Sequence, residues 1–551
     1  MKPEELEVKS AEINAKQQAF DVRLICCSST GCQSSGAGAI IDGLKAEVKA
    51  RQLDARVQVS GTGCMGLCSK GPLIRMTSKT QKDVLFSDVN PEVGAIILDQ
   101  VVTPVLAGRK IEKPAGFLEA HTLDLDSPFF TMQHRVVLGN NGRTDPEDLG
   151  DYIVHGGYQG LRKALTMSAE DICKEVLASG LRGRGGAGFP TGLKWDLTRK
   201  VQSDVKYVIC NGDEGDPGAF MDRSVLEGDP QAVIEGMLIA ARAMNATNGI
   251  FYIRAEYPLA VERIEKALKQ ARAAGLAGKN IFDSGWGFEF EMRLGAGAFV
   301  CGEETALIAS IEGLRGTPRP RPPYPAVKGL WQQPSCVNNV ETLANVPRIL
   351  LNGAEWFASM GTEKSKGTKV FALTGKIKNN GLVEVPMGIT LRRIVEVIGG
   401  GTGTERKIKA IQTGGPSGGM IPDHQFDTPV SYEHLKELGS IMGSGGLIVI
   451  DDHDSVVELA QFYLDFCVDE SCGKCAPCRI GGTQMLRLLD RIVGGKGTEE
   501  DIRTIRKVAK AMQTASLCAL GQTAPNPVLS ALRHFEHEFT SLLQPATAKQ
   551  S

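Results

Sequence analysis

The chain has 551 residues, 62 Lys and Arg against 64 Asp and Glu, and hydrophobic and charged shares of 42% and 23%, all ordinary for a globular protein. A formal net charge of −2 gives no electrostatic case for nucleic-acid binding, and wholesale disorder is excluded. No stretch reaches the ~18–20 apolar residues of a membrane helix, and the start MKPEELEVKSAEINAKQQ lacks the apolar core of a secretory signal, so a cytoplasmic protein of about three to four domains is expected.

Residues 21–27, 56–61, 72–78 and 83–89 are predicted strands. Residues 38–52 and 90–102 are predicted helices, the second with Asn90 as its cap and Pro91 at the first helical position. They make a small α/β module within 1–105. Residues 106–150, with Pro114, Pro128 and polar turns, read as a wrapping linker. In 151–345 a helix at 168–181 leads into a glycine loop. A strand then runs into an acidic loop over 206–218, followed by a helix at 230–245, a strand at 249–255 and a helix at 258–275. That alternation predicts a doubly wound, Rossmann-like domain. Residues 346–440 carry strands at 369–375, 382–386 and 409–415 with a helix at 390–399, which suits a β-grasp domain. Residues 441–551 are expected to be a four-helix bundle, with apolar stripes at Ile502, Ile505, Val508, Ala509 and Met512 and at Val528, Ala531, Leu532, Phe535 and Phe539.

Fourteen cysteines in a compartment that keeps thiols reduced need a purpose other than disulfides. ESCGKCAPC sets Cys472, Cys475 and Cys478 three residues apart, with Cys518 following in SLCALG. Three thiolates at that spacing can meet one cuboidal 4Fe–4S cluster and a distant fourth can close it, whereas zinc ligands usually come as two separate pairs. Cys27 and Cys32, and Cys64 and Cys68, form two pairs on two loops, which suits a 2Fe–2S cluster but also zinc. Cys26 is a possible substitute for Cys27.

The loop GRGGAGFPTGLKW (183–195) has the glycine spacing of a dinucleotide fingerprint, but a helix precedes it where the fingerprint requires a strand. Its bare backbone, Arg184 and Lys194 can still cradle phosphate, although a long glycine turn is the plain alternative. NGDEGDPG places Asp213, Glu214 and Asp216 directly after a strand, and Glu303 and Glu304 open a helix. Such carboxylates can bind ribose hydroxyls and disfavour a 2′-phosphate, or serve as turn residues and first-turn helix acids. VNNVET offers Asn338 and Asn339, and Phe189 and Tyr324 can stack on flat rings or simply pack.

Together these strings resemble the NADH-oxidising flavoprotein subunit of respiratory NADH dehydrogenase and its soluble relatives, over residues 150–540. The wording of 213–230 and the fused N-terminal module resemble the diaphorase subunits of NAD-linked bidirectional or bifurcating hydrogenases. The resemblance implies FMN held by Gly183, Arg184, Gly185, Gly186, Gly188, Lys194, Asn211, Asp213, Glu214, Glu303, Val337, Asn338, Asn339 and Thr342, with Glu303 tuning the site. It implies NADH contacts at Phe189, Asp216, Glu304, Arg321 and Tyr324. It also implies a 4Fe–4S cluster on Cys472, Cys475, Cys478 and Cys518, and a thioredoxin-like 2Fe–2S domain at the N-terminus. Hydride would pass between nicotinamide and flavin, with no acid or base residue required. The implied partners are a small 2Fe–2S thioredoxin-like subunit and a larger iron–sulfur subunit bearing a hydrogenase site, or a formate dehydrogenase site in the alternative. A zinc-binding scaffold with degenerate nucleotide loops is the rival of a different class. The chain departs from the respiratory pattern at Asp216, Phe299 and Arg321, and at Leu197, where an aromatic residue is usual.

Overall fold

The computed structural model describes residues 1–111 and 116–544, arranged around three sheets. The first contains β1 (Val22–Cys27), β2 (Val57–Thr62), β3 (Ile74–Ser78), β4 (Val84–Phe86) and β5 (Thr122–Leu123), in the order β2-β1-β3-β4-β5. The β1–β2 pair is parallel and the others are antiparallel. Asn90 caps the helix Pro91–Ile97 by accepting from the Val93 N–H at 2.9 Å, as its position before Pro91 predicts. That helix does not stop at 102: a π turn at Leu98–Val102 carries it to Leu106. The stretch expected to be a linker supplies β5 to the sheet and a short helix, Pro128–Thr131. Residues 112–115, with the expected Pro114 turn, lie outside the described residues. A helix at Glu5–Ala19 was not expected. Its apolar signal is weak because it buries only Leu6.

The second sheet is parallel throughout: β6 (Tyr207–Gly212), β7 (Asn248–Arg254), β8 (Glu289–Gly295) and β9 (Ser335–Asn339), ordered β8-β7-β6-β9. β6 has its sequence successor on one side and the last strand on the other. The winding therefore reverses between β6 and β9, and ligands of open α/β sheets bind beyond the carboxyl ends at such a point. The helix Pro230–Met244 lies under the sheet with all but Arg242 buried.

The third sheet has β10 (Thr368–Gly375), β11 (Gly381–Pro386), β12 (Ile408–Thr413), β13 (Gly419–Pro422) and β14 (Gly446–Asp451), ordered β11-β10-β14-β12-β13 with β10 and β14 parallel. This is the strand order of a β-grasp sheet, and its predicted helix is a wide π turn at Arg393–Ile398. β14 lies in a stretch expected to be helical. Its run GLIVID has four apolar residues in a row, and its central place in the sheet makes it a strand. The helical region therefore starts at Val456, with helices Val456–Asp469, Ala476–Val493, Glu499–Ala515 and Asn526–His534; the expected stripes are buried, Val508 only in part, but the second is broken at Phe535 and Phe539 lies on a further short helix, Glu536–Ser541. The bundle's last expected residues, 545–551, lie outside the described ones. Among the described residues no helix is long and apolar enough to cross a membrane.

Candidate functional site

The carboxyl ends of β6 and β9 are in register, with Asn211 opposite Asn339 and Cys210 opposite Asn338. The glycine loop, between helices Ala169–Ala178 and Thr191–Lys200, lies against this point: a Cβ on Gly185 would meet the Asn339 Cβ at 3.1 Å. Gly186 and Gly188 have φ of +116° and +63°, in the region only glycine enters freely, and a Cβ on Gly186 would meet Gly443 Cα at 3.1 Å. The loop is tied down by the Arg184 N–H on Thr342 Oγ1 at 2.8 Å and the Tyr432 hydroxyl on the Gly183 carbonyl at 2.8 Å.

The Arg184 side chain turns into the protein. Its guanidinium is fully buried and donates to the carbonyls of Arg182, Lys366 and Thr368, at 2.7–3.0 Å. It fastens the glycine loop to β10, and the expectation of a phosphate-binding charge is corrected to a structural one. Asn338 Oδ1 accepts from the buried Trp195 indole at 3.0 Å, and Asn339 Oδ1 caps the helix Val340–Asn352 by accepting from the Thr342 N–H.

Behind β6, Asn211 Nδ2 donates to the Gly302 carbonyl and its Oδ1 accepts from the Asp213 N–H, both at 3.0 Å. Both Asp213 carboxyl oxygens are buried without a hydrogen-bond partner among the described residues. Burial, partly opposed by Arg254, pushes this carboxyl up to about 7. Glu214 is occupied: its oxygens accept from the N–H groups of Asp222 and Arg223, opening the helix Met221–Gly228. Asp216 accepts from the Ser444 hydroxyl at 2.8 Å and is raised by burial to about 6. Glu303 caps the helix Glu304–Ile311 by accepting from the Thr305 and Ala306 N–H groups.

Lys194 donates to the Val337 carbonyl at 2.8 Å and to Glu304 at 2.9 Å, and Arg321 donates to the other Glu304 oxygen at 2.9 Å. Burial raises the Glu304 carboxyl, but the two cations outweigh it and hold the group below its ordinary value. Burial likewise lowers Lys194, and Glu304 reverses the sign to a net rise. Phe189 and Tyr324 are each about half exposed, at 46% and 57%, as is Leu197 at 47%. The sequence reading missed Asp222, which takes Asn339 Nδ2, and Tyr432 and Ser444. No local signal marks the last two, which arrive from a domain more than 200 positions along the chain.

One loop away, at Phe299–Gly302, the four C-terminal thiols line a single small hollow with Val300, Pro318, Leu517 and Leu520. Cys475 and Cys518 each stand at the cap position of a helix. Ser471 Oγ lies 3.2 Å from Cys478 Sγ, and the Leu517 N–H donates to Cys475 Sγ at 3.5 Å. Among the described residues no three Cys, His, Asp or Glu side chains close on one point as a single metal ion requires. A soft donor set around a hollow fits a cluster.

In the N-terminal module, Cys27 faces the thiols of Cys32 and Cys64, and Cys64 Sγ lies 3.9 Å from Cys68 Sγ. Cys26 points to the opposite face of β1, into a core with Val22, Leu24 and Ile40, where burial raises its thiol to about 12.

Residues 176–348 match the Nuo51 FMN-binding domain, 458–542 the NADH-ubiquinone oxidoreductase-F iron–sulfur binding region, and 15–100 the thioredoxin-like 2Fe–2S ferredoxin. Over 407 residues the chain is 54% identical to the HndC component of the NADP-reducing hydrogenase of Solidesulfovibrio fructosivorans, spanning 74% of this chain and 83% of that protein. It is 42% identical over 397 residues to an NADH-quinone oxidoreductase subunit of Escherichia coli K12, spanning 72% and 89%. The crystal structure of an NAD+-reducing NiFe-hydrogenase in its H2-reduced state aligns with a TM-score of 0.67 at 30% identity, covering 98% of this chain and 90% of that one.

Proposed function

The chain belongs to the family of FMN- and iron–sulfur-binding subunits found in NADH-quinone oxidoreductase and in NADP-reducing hydrogenase, and from that premise we propose how its residues divide the work. It is an NAD(H)-linked electron-entry subunit that takes FMN, a 4Fe–4S cluster and a 2Fe–2S cluster. When bound, FMN supplies hydride exchange with nicotinamide and one-electron delivery to iron–sulfur clusters, so the protein contributes position and electrostatics.

The glycine loop (Gly183, Gly185, Gly186, Gly188), the Arg184 backbone, Lys194, Asn211, Asp213, Glu214, Glu303, Val337, Asn338, Asn339 and Thr342 form the flavin cradle. Asp213 is its polar anchor, because a buried carboxylate with both oxygens open accepts hydroxyl donors from a sugar-like chain. Lys194, fixed by Glu304, presents a positive charge beside β9. Phe189 and Tyr324 stack flat rings at the mouth, and Asp216, Glu304 and Arg321 set its polar rim. Cys472, Cys475, Cys478 and Cys518 hold the 4Fe–4S cluster, and Cys27, Cys32, Cys64 and Cys68 hold the 2Fe–2S cluster, with Cys26 left in the core. The partners are a small 2Fe–2S thioredoxin-like subunit and a larger iron–sulfur subunit with a hydrogenase site.

The observation that carries this reading is the unpartnered Asp213 carboxylate at the β6–β9 reversal, one loop from a four-thiol hollow. Anaerobically purified protein should hold FMN and about six iron atoms per chain and reduce dyes with NADH. Protein with neither FMN nor dye reductase activity, or with zinc in place of iron, overturns the reading. Identifying the co-purifying subunits tests the hydrogenase assignment.

A further inference from the structure

The cysteine loops of the N-terminal module are held by charged groups of the flavin-binding domain. Arg263, only 2% exposed, donates to the Ser28 carbonyl at 3.0 Å and to Ser28 Oγ at 2.8 Å, next to Cys27. Ser28 Oγ in turn donates to the Thr62 carbonyl at 3.0 Å, on the approach to Cys64, so one guanidinium braces both loops. Arg263 also donates to the Glu227 carbonyl at 2.7 Å, and the Glu227 carboxylate, fully buried, accepts from the Thr30 N–H at 2.9 Å and from the Thr30 hydroxyl, between Cys27 and Cys32. Arg223 Nε lies 3.8 Å from Glu227. The contact is close-packed: a Cβ on Gly63 would fall 2.5 Å from Gly228 Cα.

Glu227 and Arg223 lie on the helix Met221–Gly228. Its first N–H groups are held by Glu214, and its Asp222 accepts from Asn339. One eight-residue helix thus touches the flavin cradle at one end and the Cys27–Cys32 loop at the other. Arg263 and Glu227 carry opposite charges, are both removed from solvent and act on the same loop; their counter-ions, Glu147 at 3.6 Å from Arg263 and Arg223 at 3.8 Å from Glu227, are both partly exposed and so better screened.

We propose that Arg263 and Glu227 are positioning residues that fix the Cys27–Cys32 and Cys64–Cys68 loops and set the reduction potential of the 2Fe–2S cluster with opposite signs, Arg263 raising it and Glu227 lowering it. Adding an electron makes the cluster more negative, so a buried cation favours the reduced form and a buried anion opposes it. This rests on the reading that those four cysteines hold the cluster.

The test is an EPR-monitored redox titration of the purified full chain as wild type, Arg263→Gln and Glu227→Gln, each substitution keeping a hydrogen-bonding group while removing charge. At the potential where the wild-type 2Fe–2S signal is half developed, Arg263→Gln should be well under half reduced and Glu227→Gln well over half, with the 4Fe–4S midpoint and FMN content unchanged. Unchanged midpoints in both, or shifts of the same sign in both, overturn the proposal, since loosened loops would not separate the two charges. If Arg263→Gln does not fold, Glu227→Gln decides alone: a rise supports the proposal, and no shift or a fall overturns it. A wild-type chain with a 4Fe–4S signal but no 2Fe–2S signal defeats the underlying cluster reading instead.

Discussion

The chain carries two sets of four thiols and builds them differently. At the C-terminal set, three cysteines come from seven consecutive residues at the mouth of one helix, and the walls of the hollow, Val300 and Pro318, belong to the flavin-binding domain. Val300, Val337, Cys478 and Cys518 belong to one buried cluster, so these thiols pack in apolar contact with the flavin-binding domain. At the N-terminal set the cysteines come in two pairs on two loops, and a helix with buried charges stands between them and the cradle. An apolar direct contact suits rapid onward transfer, whereas an intervening charged helix suits a site whose potential is adjusted separately.

The largest effect expected separates the two sets outright. Cys475→Ser should abolish the 4Fe–4S EPR signal and electron delivery to the partner complex while leaving NADH–dye reduction at the flavin. Cys32→Ser should remove only the 2Fe–2S signal and leave delivery largely intact. Equal loss of delivery in both variants would erase the distinction between the two sets.

Next in size is packing. A Cβ at Gly63 would collide with Asn141 Oδ1 and lie 2.5 Å from Gly228 Cα, both held in place, so Gly63→Ala should cost about 1–3 kcal/mol in denaturant unfolding. A Cβ at Gly521 would lie 2.8 Å from the Cβ atoms of Cys478 and Ser516, and Gly521→Ala should lower retention of the 4Fe–4S iron with the N-terminal iron unaffected. Iron analysis and EPR check the second variant.

A pH effect follows from Asp213. Its carboxyl in the folded, FMN-free protein is raised to about 7, above the ordinary carboxylate value of about 3.9. The stability it contributes is fully present below about pH 4 and is lost as pH rises through 7. Thermal unfolding of FMN-free protein from pH 5 to 8 should therefore show wild type losing ground to Asp213→Asn, with a remaining slope from Asp216 at about 6. Because FMN hydroxyls favour the ionised carboxylate, FMN affinity should weaken as pH falls through 7 in wild type and not in Asp213→Asn.

The smallest effect is expected at Leu197, 47% exposed on the helix Thr191–Lys200 at the position where the respiratory pattern has an aromatic residue. Leu197→Phe adds a stacking surface and should lower KM for NADH a few-fold with little change in kcat. Steady-state kinetics measure it.

The elements with strong local patterns were legible in the sequence. The run from β6 through the helix Pro230–Met244 to β7 alternates cleanly because each element is buried, and the Asn90–Pro91 start is marked by capping chemistry alone. β8 was not legible, because most of EFEMRLG faces outward and its charges hide the alternation. β9 ends in two asparagines, one bonded to the buried Trp195 indole and one capping the next helix, and they cut its apolar run short. The spacing of Cys472, Cys475 and Cys478 was informative because all three come from one helix mouth, and Cys518 joins them in one hollow from the cap of a later helix. The choice between Cys26 and Cys27 was open because adjacent residues in a strand differ only by face. Arg184 was misread for a related reason: whether an arginine serves a ligand or the protein depends on carbonyls at Lys366 and Thr368, which no local pattern reveals.

The most direct measurement is an anaerobic NADH titration of the isolated FMN- and iron-loaded chain, following flavin absorbance and low-temperature EPR together. Electron entry at the β6–β9 reversal predicts that NADH alone bleaches the flavin and brings up the 4Fe–4S signal, with no hydrogen, formate or partner protein present. A loaded chain in which NADH leaves both unchanged, while dithionite reduces both, would contradict it.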